Sequence, residues 1–124
     1  MAPILRPKSK IKQALRYSLD VPTSVCNKPG VIYMIQTPRD SCKRTPVWKV
    51  GYTCQAFEAR LRQYPRGTQV IATFHVKNAR RVERKVMRSF RRTYTLDRGA
   101  EYFIGDKDVM LRHLCRIVHW DIVD

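Results

Sequence analysis

The sequence predicts one compact α/β domain, and three observations carry that prediction. Residues 78–94 repeat apolar side chains at Ala79, Val82, Val86, Met87 and Phe90, the spacing of a single buried helix face. Three stretches rich in β-branched and aromatic residues, 31–35, 47–52 and 70–76, precede that helix and read as strands. The chain has 124 residues, of which 44% are hydrophobic, enough for one core but not for two.

Taken in order, residues 1–29 start as a basic arm with Arg6, Lys8, Lys10 and Lys12. Ile11, Ala14, Leu15 and Leu19 are spaced for a short amphipathic helix that ends before Pro22. The strands at 31–35 and 47–52 are joined by a polar, turn-rich connection, which predicts an antiparallel hairpin with a long loop. Thr53 is expected to cap a helix over 54–64, with Phe57, Leu61 and Tyr64 as its apolar stripe and Pro65-Arg66-Gly67 as its stop. After the strand at 70–76 comes the 78–94 helix. Arg98-Gly99 marks a turn, and residues 101–104 a short extended piece. Asp106 is expected to cap a last helix reaching about residue 119, with Val109, Met110, Leu114, Ile117 and Val118 inward.

Charge narrows the class of partner. Twenty-five Lys and Arg oppose ten Asp and Glu, a net charge of +15, and a domain so basic is expected to bind a polyanion, nucleic acid above all. No apolar run suits a membrane span and no secretion signal is evident, so an intracellular protein (cytoplasm, nucleus or virion) without a membrane partner is expected. Cys26, Cys42, Cys54 and Cys115 lack paired spacing and read as reduced thiols. Cys115, His119 and His113 share a helical spacing without a second ligand pair, which argues against zinc.

The residues able to carry chemistry are few. Glu83 falls in the apolar arc of the 78–94 helix, whereas Arg80, Arg81, Arg84, Lys85, Arg88, Arg91 and Arg92 form the opposite face. An inward carboxylate can hold one Mg²⁺, or pair with Arg60 as a structural ion pair. Arg60, beside an apolar stripe, can hold a phosphate or simply lie over Phe57. Tyr33 and Lys49 lie in strands and His75 at a strand end; a Tyr or Lys of lowered pKa could accept a proton from an attacking water. Each also has an ordinary structural explanation.

The order Gly30-Val31-Ile32-Tyr33, a loop, Trp48-Lys49-Val50-Gly51-Tyr52-Thr53, then Arg60 and Glu83 in successive helices, resembles the GIY-YIG nuclease family. It is most similar to the phage and viral subfamily whose second motif reads Lys, aliphatic, Gly, Tyr, Thr. The stretch Gly99-Ala100-Glu101-Tyr102-Phe103 is similar to that subfamily's ending. The resemblance implies an α+β fold with a small three-stranded antiparallel sheet flanked by helices, with residues 30–124 as the nuclease domain. It implies Tyr33 as the residue that positions or deprotonates the water, Arg60 as the contact to the scissile phosphate and Glu83 as the ligand of one Mg²⁺ or Mn²⁺ ion. The tyrosine that usually opens the second motif is Lys49 here, so Lys49 or Tyr52 is expected to take its place, with His75 assisting.

A metal-dependent endonuclease acting on DNA, double-stranded in the first instance, is the function this implies. With no room for a separate DNA-binding domain, little intrinsic sequence specificity is expected unless a protein partner supplies it. The alternative is a non-catalytic nucleic-acid-binding module on a nuclease-derived fold.

Overall fold

The computed structural model describes residues 28–123, so the basic arm's predicted helix and Cys26 lie outside the described residues. Strand β1 (Gly30–Gln36) lies between β2 (Val47–Thr53) and β3 (Gln69–Val76). Beyond β2 lie β5 (Tyr102–Ile104) and then β4 (Thr95–Arg98), giving the order β3-β1-β2-β5-β4 with every pairing antiparallel. Both faces of β1 are covered, which explains why it reads as an unbroken apolar run rather than an alternation.

The sheet therefore has five strands where three were expected. The two additional strands form a short hairpin turned by Gly99, whose φ of +57° suits glycine. Helix α1 (Pro38–Ser41) interrupts the loop after β1, helped by a proline in its first turn. The predicted helix over 54–64 is shorter, α2 (Phe57–Leu61). Thr53 is buried at the end of β2, where its hydroxyl accepts from the Gln55 amide at 3.0 Å instead of capping the helix.

One face of the sheet carries Ile32, Met34, Trp48 and Val50 and is covered by α3 (Ala79–Thr93) and α4 (Lys107–Val118). All five expected apolar positions of α3 are buried, and Asn78 caps it by accepting from the Arg81 amide. In α4, Met110, Leu114 and Val118 face inward and Asp106 caps as expected. Val109 is instead 46% exposed, because it falls a full residue's rotation away from the Met110 stripe. The other face carries Val31, Tyr33 and Ile35 beneath Phe57 and Tyr64. That second, thinner layer holds the cleft.

A buried polar clasp fixes the far end of the sheet. Asp40, 1% exposed, receives Arg98 through both terminal nitrogens at 2.9 and 3.1 Å and the Thr37 hydroxyl at 3.0 Å. Arg98 in turn stacks 3.9 Å over the centre of the Tyr102 ring, so α1 is tied to the β4–β5 hairpin. Among the described residues, no helix is long and apolar enough to cross a membrane.

Candidate functional site

Antiparallel register sets Tyr33 opposite Gly51 and Ile35 opposite Lys49, which puts Tyr33 and Lys49 on the same face of neighbouring strands. Gly51 is required here by space. A β-carbon at that position would lie 2.8 Å from the Tyr33 hydroxyl and 2.9 Å from its ring carbon. Gly30 is similarly constrained, since a β-carbon there would meet the Thr53 carbonyl at 2.4 Å. These close approaches explain two of the motif glycines physically. Gly51→Ala is expected to displace the Tyr33 ring and lower any cleavage rate about tenfold or more while leaving nucleic-acid affinity unchanged. Parallel rate and binding measurements on that variant check this.

The thin layer's helix completes a cleft of about 480 Å³, lined by Tyr33, Lys49, Tyr52, Arg60 and Tyr64 together with Glu101 from the β4–β5 turn. The hydroxyls of Tyr33 and Tyr64 share a hydrogen bond of 2.7 Å, with their rings edge-on at 6.1 Å between centroids. Lys49 forms an ion pair with Glu101 and lies 5.8 Å from the centre of the Tyr64 ring. Arg60 donates to Gln63 at 2.9 Å, whereas its Nε is buried without any hydrogen-bond partner among the described residues. An orphaned guanidinium nitrogen is costly in isolation and suits an incoming anionic oxygen.

The electrostatics settle which groups are charged. Burial, reinforced by the hydrogen bond to Tyr64, holds the Tyr33 hydroxyl far above the usual tyrosine range, so it is neutral at physiological pH. Burial alone would lower the Lys49 pKa, but Glu101 and the Tyr64 hydroxyl outweigh it and keep the ammonium protonated. Neither group has the lowered pKa that would make it a ready base. Tyr33 is a neutral hydroxyl, and Lys49 a fixed cation.

Glu83 lies on α3, beneath the opposite face of the sheet, in a surface depression with Arg84, Met87, Arg88 and Arg91. Among the described residues it makes neither a hydrogen bond nor an ion pair, so the alternative of a structural pair with Arg60 is not what the structure contains. Burial and the negative charge of Glu101 raise its carboxyl to about 7, against the opposing pull of Arg91, Lys49 and Arg84. Tyr52 links the two sides: the pleat puts it on the helix face, yet it lines the cleft, and its hydroxyl feels both Arg80 and Glu83. Glu101 is the shared neighbour, since its charge acts on Tyr33, Lys49, Tyr52 and Glu83 alike.

His75 is not brought into this cleft. It lies exposed at the end of β3, in a separate depression with Gly30, Phe57 and Val123. Along α3, Arg81, Arg84, Lys85, Arg88, Arg91 and Arg92 are exposed and Arg80 partly so. Lys85 is engaged with Asp121 at 2.9 Å and Arg91 with the Ala100 carbonyl at 3.3 Å. Two site residues were not singled out from the sequence. Tyr64 falls on the apolar stripe of the expected 54–64 helix, whereas the structure ends that helix at Leu61 and brings Tyr64 into the cleft from the turn that follows. Glu101 belongs to a motif that assigns it no role; an acid before two aromatics in so basic a chain is the available signal.

A family model, the T5orf172 domain, matches residues 30–118, which takes in the whole sheet, the cleft and both long helices. No curated protein and no solved structure matches the chain.

Proposed function

The chain belongs to the T5orf172 domain family, and from that premise we propose that it is a metal-dependent endonuclease of GIY-YIG type, hydrolysing DNA phosphodiester bonds with little intrinsic sequence specificity. The observation that carries this reading is the buried Nε of Arg60, without a hydrogen-bond partner among the described residues, in the same cleft as the Tyr33–Tyr64 hydroxyl pair. Both residues line one cleft, which supports the binding of an anionic oxygen and a water there.

The roles follow from the charges. Arg60 engages the scissile phosphate and offsets charge that develops on it. Tyr33, held by Tyr64, orients the attacking water and becomes a base only in alkaline solution. Lys49, fixed by Glu101, supplies positive charge where most relatives of this type would have a tyrosine. Among the described residues Glu83 is an unpaired carboxylate with a second carboxylate in electrostatic range, and a hydrated Mg²⁺ or Mn²⁺ ion suits such a sparse oxygen set. Among the described residues no group of three or more His, Cys, Asp or Glu side chains clusters to bind a metal. When bound, the ion would supply positive charge near Glu101, which lines the cleft, and so help offset charge on a phosphate there.

The basic face of α3 supplies affinity through phosphate contacts, which carry no base information. DNA binding is therefore expected to weaken by about a thousandfold between roughly 50 and 200 mM salt. Fluorescence anisotropy on unrelated duplex sequences tests this, and an affinity that barely responds to salt contradicts it. A second reading, a nucleic-acid-binding module that does not cut, is favoured by one observation: the cationic, ion-paired Lys49 where a second tyrosine would stand. Cleavage assays separate the two.

A further inference from the structure

After α4 the chain makes a 3₁₀ turn, His119–Asp121, whose central residue Trp120 is 84% exposed. An indole left in water is unfavourable by itself, and a loose chain end would let it fold back. This turn is not loose. The Asp121 carbonyl accepts from the Lys77 amide at 3.0 Å, and its carboxylate receives Lys85 at 2.9 Å. Ile122 bridges to Val76, and the Val123 amide donates to the His75 carbonyl at 2.9 Å. The His119 ring meets Trp120 edge-on at 4.7 Å. The fold thus pins the backbone on both sides of Trp120 and leaves its indole projecting.

The surroundings select the partner. The Lys85 ammonium and the Lys77 backbone amide contact the turn, Lys77 is exposed, and Arg81 lies one helical turn before Lys85 on the same side of α3. An exposed aromatic beside a row of cations suits a chain that carries both phosphates and flat rings. Duplex bases hide their faces in the stack, so the ring must be unpaired.

We infer that Trp120 is a stacking platform for an unpaired nucleobase, with Lys77, Arg81 and Lys85 holding the adjoining phosphates. The platform adjoins the basic helix through the Asp121–Lys85 pair, and Trp120 does not line the cleft. It rests on the nucleic-acid reading of that helix but not on cleavage.

Tryptophan fluorescence tests this directly on the full chain. Trp48 is buried and donates to the Gly105 carbonyl at 2.9 Å, so a change on ligand addition reports Trp120. Titration with a short oligothymidylate is expected to quench the emission, and a blunt-ended hairpin duplex of the same length to quench it far less. Trp120→Ala is expected to abolish the quenching and weaken oligothymidylate binding by about five- to a hundredfold, with Trp120→Phe retaining most of the affinity. Equal affinity of Trp120→Ala and wild type overturns the platform and leaves the basic helix standing. So does equal quenching by the duplex, or an indole that acrylamide cannot reach in the free protein, which would mean that another segment covers it. Failure of the wild type to bind any oligonucleotide overturns the nucleic-acid reading along with it.

Discussion

Glu83→Gln is expected to yield a better-folded protein that no longer cuts. The Glu83 carboxyl is raised from 4.5 to about 7 by burial and by Glu101, and among the described residues no ion pair compensates for it. For a carboxyl raised on folding, the sign is unfavourable at neutral pH. The penalty is absent below the ordinary Glu range, grows as pH rises from there, and is complete above about 7. The shift corresponds to at most about 3 kcal/mol, and partial solvent access together with the new amide's own need for partners reduces the gain to about 1–2 kcal/mol. Thermal unfolding at pH 8 and pH 5 checks this: the glutamine variant should be more stable at pH 8, and the difference should be much smaller at pH 5. Mg²⁺ should raise the wild-type melting temperature and leave that of the variant unmoved. The same substitution should lower cleavage at least about a hundredfold. A purely structural Glu83 would give the opposite, a variant less stable at pH 8.

Asp40→Ala is expected to cause the largest loss of stability. Its carboxylate is buried, and burial alone would raise its pKa, but Arg98, Thr37 and Lys43 outweigh that and hold it below the ordinary aspartate range. Such a group stabilises the fold at all pH values above that range, and the contribution is lost on acidification through the lowered pKa. Removing it strands Arg98, which among the described residues keeps Asp97 at 2.8 Å and its stack on Tyr102. The expected cost is about 2–4 kcal/mol, slightly less than for a fully buried pair because Arg98 is partly solvated. Chemical denaturation at pH 7 measures it. Because Arg98 stacks on Tyr102, next to Glu101, the variant should also loosen the turn that holds Lys49.

How much of this was legible in the sequence depends on the range of the interaction. The 78–94 helix was legible because α3 buries one continuous stripe, and β1 because both of its faces are covered. Strand β4 was not, since Thr95-Leu96-Asp97-Arg98 is almost wholly exposed and is a strand only through pairing with β5 across the Gly99 turn. The Tyr33–Tyr64 contact joins residues 31 positions apart, and nothing in local spacing announces a hydroxyl pair. Lys49 and Glu101 are farther apart still, brought together by β2–β5 pairing that the three-strand expectation did not contain. Arg60 and Glu83 were both singled out, but only the structure shows that Glu83 leaves Arg60 unpaired with it and lies across the sheet.

The most direct test of an endonuclease built on this cleft is nicking of supercoiled plasmid in Mg²⁺ or Mn²⁺ by the wild type, Arg60→Ala and Glu83→Gln. Divalent-dependent nicking by the wild type, at least about a hundredfold weaker in both variants while each still binds the plasmid, is the expected result. Tight plasmid binding by a wild type that never cuts, or nicking that persists undiminished in Glu83→Gln, would contradict it.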